Sequence, residues 1–416
     1  MAGNAAREQA NTEVLKRFAA AEPYVEDVRP AIEAISGFTR DTILTSGPPR
    51  PWPDYTGGQR AAIIGAALFE GLAPDAAEAE ALLARGAIRV RGCHDLGAVG
   101  SLAGVYSASM PVFVVRNRTH GNLGFCNFYE GTNPRRLNYG VYDDGVRERL
   151  RHVQNVVAPV LGEAVRRSGG IALKPIMKRA LHMGDELHSR NTAAALLFTR
   201  EILPQFLALA ETRRTEAEIC AAALTEDHYF FLRLSMAAAK ATADAGHAIA
   251  GASIVTAMGF SCREFGIRVS GLGDTWFTGP HPKVQAKLSP GHTEDEISWM
   301  GGESTICETV GLGGFAQAAA FPLQAYQGGS PEAMVERNLE MYRITAGENP
   351  DFHIPYLRYR GTPTGIDIFK VVETGIAPVM NIGIAGRDGG QIGAGVVRAH
   401  ASCFQSAVAA HRARYP

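Results

Sequence analysis

The stretch LHMGDELHSRN, residues 181–191, sets two histidines, two acids, an arginine and an asparagine among the eleven residues of one segment in an otherwise apolar, alanine-rich region. Such a set admits four readings: a metal site, an acid/base site, a binding loop for an anion, or the wet joint between two helices. On one continuous helix His182 would meet Glu186, and Glu186 would meet Arg190, at i,i+4, while Asp185 would meet His188 at i,i+3, all ordinary surface pairs. Gly184 and Asp185 instead mark a break, with Ser189 or Asn191 capping the helix that follows. That places free backbone N–H groups beside His188 and Arg190, a geometry suited to a carboxylate or phosphate. The metal reading is weaker, because HxxDExH is not HExxH and no companion Cys/His cluster completes a site. A divalent metal is therefore not favoured, and no cofactor is indicated.

Other polar groups cluster at 116–131, RNRTHGNLGFCNFYEG, where Asn117, Asn122, Asn127 and Glu130 lie on a turn and a strand. They form either a turn held by side-chain hydrogen bonds or an amide-rich wall able to hold a ureido or amide group. CHDLGAVG (93–100) follows a strand and presents His94 at a strand end, where open α/β sheets place ligands. The last third carries glycine-rich runs interleaved with Ser, Thr, Asn and Glu (266–280, 301–314, 374–395). None has the lysine and hydroxyl residue of a phosphate-binding P-loop, and none is a clean dinucleotide fingerprint, though backbone amides there could still cradle phosphate.

The elements that must position these residues follow from pattern. The chain has 416 residues, long enough for two or three domains. An apolar fraction of 46% with 20% charged residues is that of a folded globular protein. With 41 basic and 42 acidic residues and no basic block, nucleic acid is disfavoured as a partner. The N-terminal sequence has no signal-peptide pattern, and aliphatic runs such as AAIIGAALF fall short of the ~18 residues of a membrane span. A cytoplasmic protein with no membrane association is the expectation. The six cysteines form no CxxC pair, so reduced thiols are expected.

Residues 1–142 alternate helical and strand patterns, with helices at 12–22, 25–36, 58–71 and 75–85 and strands near 43–49, 87–90, 111–115 and 124–129. Residues 143–250 read as helix almost throughout, with Asp143 or Asp144 as a first cap. Strands return in 251–416, with a helix at 331–345 and another from 402. The fold class is α/β: mixed α/β N- and C-terminal domains with a mainly helical middle domain.

Taken together, the motifs MGDELHSRN, GPPRPW with GAALFEGLA, CHDLGAVG, CNFYEG, FGIRVSGL with WFTGP, ICETVGLGG, and VVETGIAPVMNIGIA with GQIGAG resemble, in order and from about residue 43 to 403, the AllG-type subunit of oxamate carbamoyltransferase. The resemblance implies a transferase subunit that converts oxalurate and phosphate to oxamate and carbamoyl phosphate in allantoin degradation. It also implies companion subunits, one of them CoA-ligase-like, and phosphate or carbamoyl phosphate as substrate. A homo-oligomer is expected as well. The chain departs from the pattern at His182, at Gly301-Gly302-Glu303 and through the unfamiliar segment 281–300, which bears on the substrate more than on the reaction type.

Carbamoyl transfer needs cations and N–H donors for a tetrahedral oxyanion and for phosphate, and a group to move a proton at a poorly nucleophilic amide nitrogen. Within the matching motifs, Arg190 and Arg268 are candidates for the anionic ends. His188 is the candidate acid/base, oriented by Asp185 or Glu186. Asn122 and Asn127 would grip the carbamoyl amide, and backbone near Gly313 and Gly393 would hold phosphate. Glu130, His94, Asn191, Ser270, Glu308 and Asn381 complete the expected substrate contacts. Two other classes compete: an amidohydrolase of the same bond, in one form metal-assisted through His182, Asp185 and His188, and a non-catalytic partner of a CoA-ligase-like chain.

Overall fold

The computed structural model describes residues 2–226 and 228–416. Its architecture is α/β, built on separate small sheets rather than one large one. The first sheet has the spatial order Ala98–Val99, Leu123–Asn127, Pro111–Asn117, Pro23–Pro30, Ile171–Ala172. It is antiparallel except where Ala98–Val99 runs parallel to Leu123–Asn127. A parallel pair, Thr42–Thr45 with Arg89–Gly92, is joined through the helices Gly57–Glu70 and Ala76–Ala84. The last third supplies a three-stranded antiparallel sheet (Val255–Phe260, Phe265–Val269, Phe277–Gly279) and a four-stranded one (Val284–Leu288, Gln391–Arg398, Val379–Gly386, Ile297–Ser298).

One expectation fails here for a physical reason. Residues 25–36 carry apolar residues at helical spacing, yet Pro23–Pro30 is a strand and only Ala31–Ala34 is helical. A β-bulge between Val25 and Asp27 adds a residue, so Val25 and Val28 both turn inward although three apart. The bulge mimics the helical period, and Pro30 cannot continue a helix begun before it.

The helical stretch shares a core with the first sheet: Val25, Phe113, Val115 and Cys126 pack with Leu161, Phe198, Phe231 and Ala237. At its centre the helix Phe231–Ala245 lies on the strands Pro111–Asn117 and Leu123–Asn127. The approach is close enough that a side chain at Gly124 would meet the backbone of Ala237 and Ala241. Thr192–Leu209 is, among the described residues, the one helix long and apolar enough to cross a membrane. Its Ala194, Phe198, Ile202 and Phe206 are buried in the protein, while Leu196, Leu203 and Leu207 are exposed.

Candidate functional site

The helix Phe231–Ala245 is largely apolar and carries two cations. Arg233 and Lys240 lie seven residues apart, so they share a face about two turns, or ~10 Å, from one another. Both are buried.

Arg233 opens onto a cleft lined by Arg136, Tyr139, Tyr229, Trp299, Gly301, Gly302, Ser304, Thr305 and residues 382–385. Residues from the first, middle and last thirds of the chain therefore meet there. Nε and Nη1 of Arg233 and Nε of Arg136 are buried and have no hydrogen-bond partner among the described residues. Arg136 packs over the Tyr139 ring at 4.6 Å and donates from Nη1 to the Gly131 carbonyl at 3.2 Å. Its loop is ordered by Glu130, whose carboxylate accepts the N–H groups of Leu137 (2.7 Å) and Asn138 (3.1 Å). Tyr139, whose phenol burial holds in its protonated form, donates to Gln391 at 2.9 Å. Gly301 has φ 100°, and a side chain there would collide with Ser46 and the Leu102 carbonyl, so this wall of the cleft needs glycine. Two buried guanidinium groups with uncommitted N–H groups make an anion-binding cleft, since such donors are costly to leave unmet.

The loop 184–191 treats its charges differently. It does separate two helices, Leu173–His182 and Thr192–Leu209. Asp185 and Glu186 are 0% exposed and His188 2%. The Glu186 carboxylate accepts N–H groups from His188, from Ser189 (2.5 Å) and from Arg190 (3.1 Å), and the Asn381 side-chain amide at 3.1 Å. Asp185 accepts from the Ala194 N–H at 2.8 Å; Asn191 stands at the N-cap position of the helix as expected, but its side chain makes no capping bond. The N–H groups expected to face a substrate anion are thus filled by the protein's own acids. Burial raises Glu186 to about 7 and Asp185 to about 6. Leu187 takes a left-handed conformation, φ 69°, uncommon for a bulky residue and held here by full burial and an N–H bond to the Arg190 carbonyl (3.1 Å).

His188 Nδ1 lies 2.8 Å and 3.0 Å from the two oxygens of Glu308. Burial alone would depress this imidazole, but the Glu308 carboxylate outweighs it and raises His188 above its ordinary value. Glu308 also accepts the N–H groups of Gly314 (2.9 Å) and Asn381 (3.1 Å). The pair has the form of a histidine oriented by a buried carboxylate, although the orienting acid is Glu308 rather than Asp185 or Glu186. The Gly313 N–H donates to the Glu186 carbonyl at 2.8 Å, so the amides near Gly313 are taken within the protein. Arg190 donates from Nε to the Gly184 carbonyl and from Nη1 to Thr192, both at 2.9 Å. With Ser189 and Asn191 it lines a second opening that shares Arg136 and Tyr229 with the first.

Lys240 leads to another polar cluster. Its ammonium donates to Asp244 at 2.7 Å and to His94 Nδ1 at 3.0 Å. Burial first, then the charges of Lys240 and Arg268, hold His94 well below its ordinary value, so it is a neutral imidazole. Glu303 accepts the N–H groups of Gly47 and Gly100, each at 2.8 Å, and burial raises it to about 8. Arg268 is paired with Asp95 and stands over the Trp276 ring at 4.7 Å.

The remaining expected residues are dispersed. Asn122 donates to the Ala241 carbonyl at 2.8 Å and so fixes the central helix to the first sheet. Asn127 is five residues further on, at the far end of the strand Leu123–Asn127, its Nδ2 buried without a partner among the described residues. The two therefore do not form one wall. Ser270 donates to the Gly246 carbonyl at 2.6 Å, and Gly393 is paired between Leu288 and Ile384 within a sheet. His182 is exposed, with its ring edge-on to Tyr359 at 5.3 Å. Among the described residues no three His, Cys, Asp or Glu side chains gather into a set that could hold a metal.

Arg136 and Arg233 were not singled out from sequence. For Arg233 a signal exists: FFLRLSMAAAK carries one arginine and one lysine at i,i+7 on an otherwise apolar helix, and buried cations are rarely structural filler. Arg136, in the loop NPRRLNYG, has no comparable mark, because its neighbour Arg135 is an exposed partner of Asp143.

The molecule is thus an α/β protein with a cleft that holds two buried guanidinium groups and, elsewhere, a buried histidine–carboxylate pair, and the comparisons with known proteins say which family it belongs to. The family profile "Oxamate carbamoyltransferase subunit AllG" matches residues 88–304. The chain is 41% identical over 407 residues to oxamate carbamoyltransferase subunit AllG of Escherichia coli K12, covering 97% of each. It is 39% identical over 408 residues to the uncharacterized protein YahG of the same organism, covering 98% of this chain and 86% of that one. A crystal structure of a conserved protein of unknown function from Enterococcus faecalis V583 superposes with a TM-score of 0.95 at 38% identity, over 99% of this chain and 98% of that one. The chain belongs to the oxamate carbamoyltransferase subunit AllG family and is a carbamoyltransferase-related subunit.

Proposed function

We propose that this chain is the part of a carbamoyltransferase that binds a small ureido or amide acid, in a reaction of the type oxalurate plus phosphate to oxamate plus carbamoyl phosphate. The observation that carries this reading is the pair Arg136 and Arg233, buried in one cleft with N–H groups left open. Both substrates of that reaction are anions, and guanidinium groups in a desolvated cleft bind carboxylate or phosphate more strongly than exposed ones do. Ser304, Thr305 and the Gly301-Gly302 turn supply neutral polar groups beside them. His188, oriented by Glu308, is the candidate to hold and move the proton at the amide nitrogen. Glu130 is a positioning residue for Arg136, and Asp185, Glu186 and Asn381 are positioning residues for the loop that carries His188.

Companion subunits, among them a CoA-ligase-like chain, belong to the same reading, as does self-association. The exposed Leu196, Leu203 and Leu207 fall on one side of a single helix and offer an apolar face for such contact. The direct test is to purify the chain with its companions and follow oxalurate by mass spectrometry. Consumption should require phosphate and yield oxamate. Equal consumption without phosphate would replace the transferase with a hydrolase, and unchanged turnover on disabling Arg233 would leave the chain a non-catalytic partner.

A further inference from the structure

Behind the wall formed by Gly100–Ser101 and Gly302–Glu303 lies a second group of open donors, which the reading above does not use. His94 Nε2, Arg268 Nε and Trp276 Nε1 are all buried and have no hydrogen-bond partner among the described residues. The three side chains are packed together: the His94 and Trp276 rings meet edge-on at 5.5 Å, and the Arg268 guanidinium covers the Trp276 ring. His94 and Arg268 are 5% and 4% exposed.

The protonation states follow from the partners. Lys240 can only donate, so His94 Nδ1 must accept, and the ring proton of the neutral imidazole resides on Nε2. That N–H points into a region where the nearest acid, Glu303 Oε1, is 3.9 Å away, too far for a hydrogen bond. Trp276 Nε1 is a donor only, and so is Arg268 Nε, whose other nitrogens face Asp95 and Asp274. These three buried donors have no acceptor within hydrogen-bond distance among the described residues, the carboxyl groups nearby being held by the other Arg268 nitrogens or standing 3.9 Å off, and they call for a group rich in lone pairs.

We propose that His94, Arg268 and Trp276 form a second oxyanion site, distinct from the Arg136–Arg233 cleft, which takes the carboxylate or phosphate group of a small acid. Arg233 and Lys240 place the two sites on one rigid helix about two turns apart. The inference does not depend on the reaction proposed above.

The three tryptophans allow each site to report separately, since Trp276 belongs to this site, Trp299 lines the arginine cleft and Trp52 belongs to neither. A protein carrying Trp52→Phe and Trp299→Phe keeps only the Trp276 signal; one carrying Trp52→Phe and Trp276→Phe keeps only Trp299. Each is titrated by fluorescence with inorganic phosphate and, separately, with oxamate, which identifies whether phosphate or carboxylate is the better ligand. The expected result is a saturable change at Trp276 that weakens at least tenfold with His94→Phe and is partly restored by His94→Gln, which retains an N–H donor. Arg268→Lys, which keeps the charge facing Asp95 but deletes the Nε–H, should weaken it similarly and serves if His94→Phe does not fold. A silent Trp276 beside a responding Trp299 overturns this site and leaves the arginine cleft standing. A Trp276 response that none of the variants alters also overturns it, and silence at both tryptophans removes both sites.

Discussion

The loop 184–191 and the cleft under Arg136 and Arg233 are both dense in buried charge, but they settle their polar groups in opposite ways. In the loop, Glu186 meets the N–H groups of residues 188–190 and Asp185 Oδ2 accepts from the Ala194 N–H, so the backbone donors are met within a few residues and only Asp185 Oδ1 and Ser189 Oγ are left over among the described residues. In the cleft, two guanidinium groups arrive from separate elements with N–H groups unmet. A closed network rigidifies; an open one selects a ligand. The proposed function rests on this difference: the loop would mainly hold His188 against Glu308, and the cleft would bind the anion.

This contrast can be broken in order of effect. The largest expected loss comes from Arg233→Met, which deletes charge-assisted hydrogen bonds of about 1.5–3 kcal/mol each. kcat/KM should fall by about 100-fold or more with the fold intact by circular dichroism, whereas Arg190→Met, already satisfied by Gly184 and Thr192, should change it by no more than about threefold. Equal losses in the two variants would erase the distinction between loop and cleft.

Next comes stability. Glu186→Ala leaves three backbone N–H groups and the Asn381 amide without their acceptor in a buried loop. Denaturant unfolding should show a loss on the order of 3 kcal/mol. A variant as stable as the parent would mean that the loop is not the closed network described here.

The smallest effect is a pH dependence. Glu303 is raised by burial from 4.5 to about 8, so the folded chain holds that proton more tightly than the unfolded chain does. Its contribution to stability is complete below about pH 4.5 and is lost as pH rises through about 8. Melting temperatures taken from pH 5 to 8 should therefore decline less steeply in Glu303→Gln than in the parent, and a steeper decline in the variant would contradict the buried, protonated state.

The α/β class and, in the last third, the helices Pro331–Ile344 and Ala401–Arg414 were legible because their periods are regular, whereas the strands Thr345–Ile354, Arg360–Ile366 and Gln391–Arg398 were not placed. The strand Pro23–Pro30 was not, because a bulge gives a strand the spacing of a helix. Within the site, the break at Gly184 and the density of charge at 185–190 were legible, but the direction of those charges was not. Sequence shows that acids and N–H groups are neighbours; only backbone geometry shows that the acids turn back onto their own loop. The pairing of His188 with Glu308, 120 residues apart, is a tertiary contact that no local spacing encodes. Arg136 was hidden for the same reason, since nothing in NPRRLNYG separates a buried arginine from its exposed neighbour.

The central claim is that anions bind where Arg136 and Arg233 leave donors open, rather than at the 184–191 loop. Calorimetric titration of phosphate and of oxamate into the parent chain, Arg233→Met and Arg190→Met tests it most directly. The account predicts at least tenfold weaker binding in Arg233→Met with Arg190→Met close to the parent; binding lost in Arg190→Met and retained in Arg233→Met would contradict it.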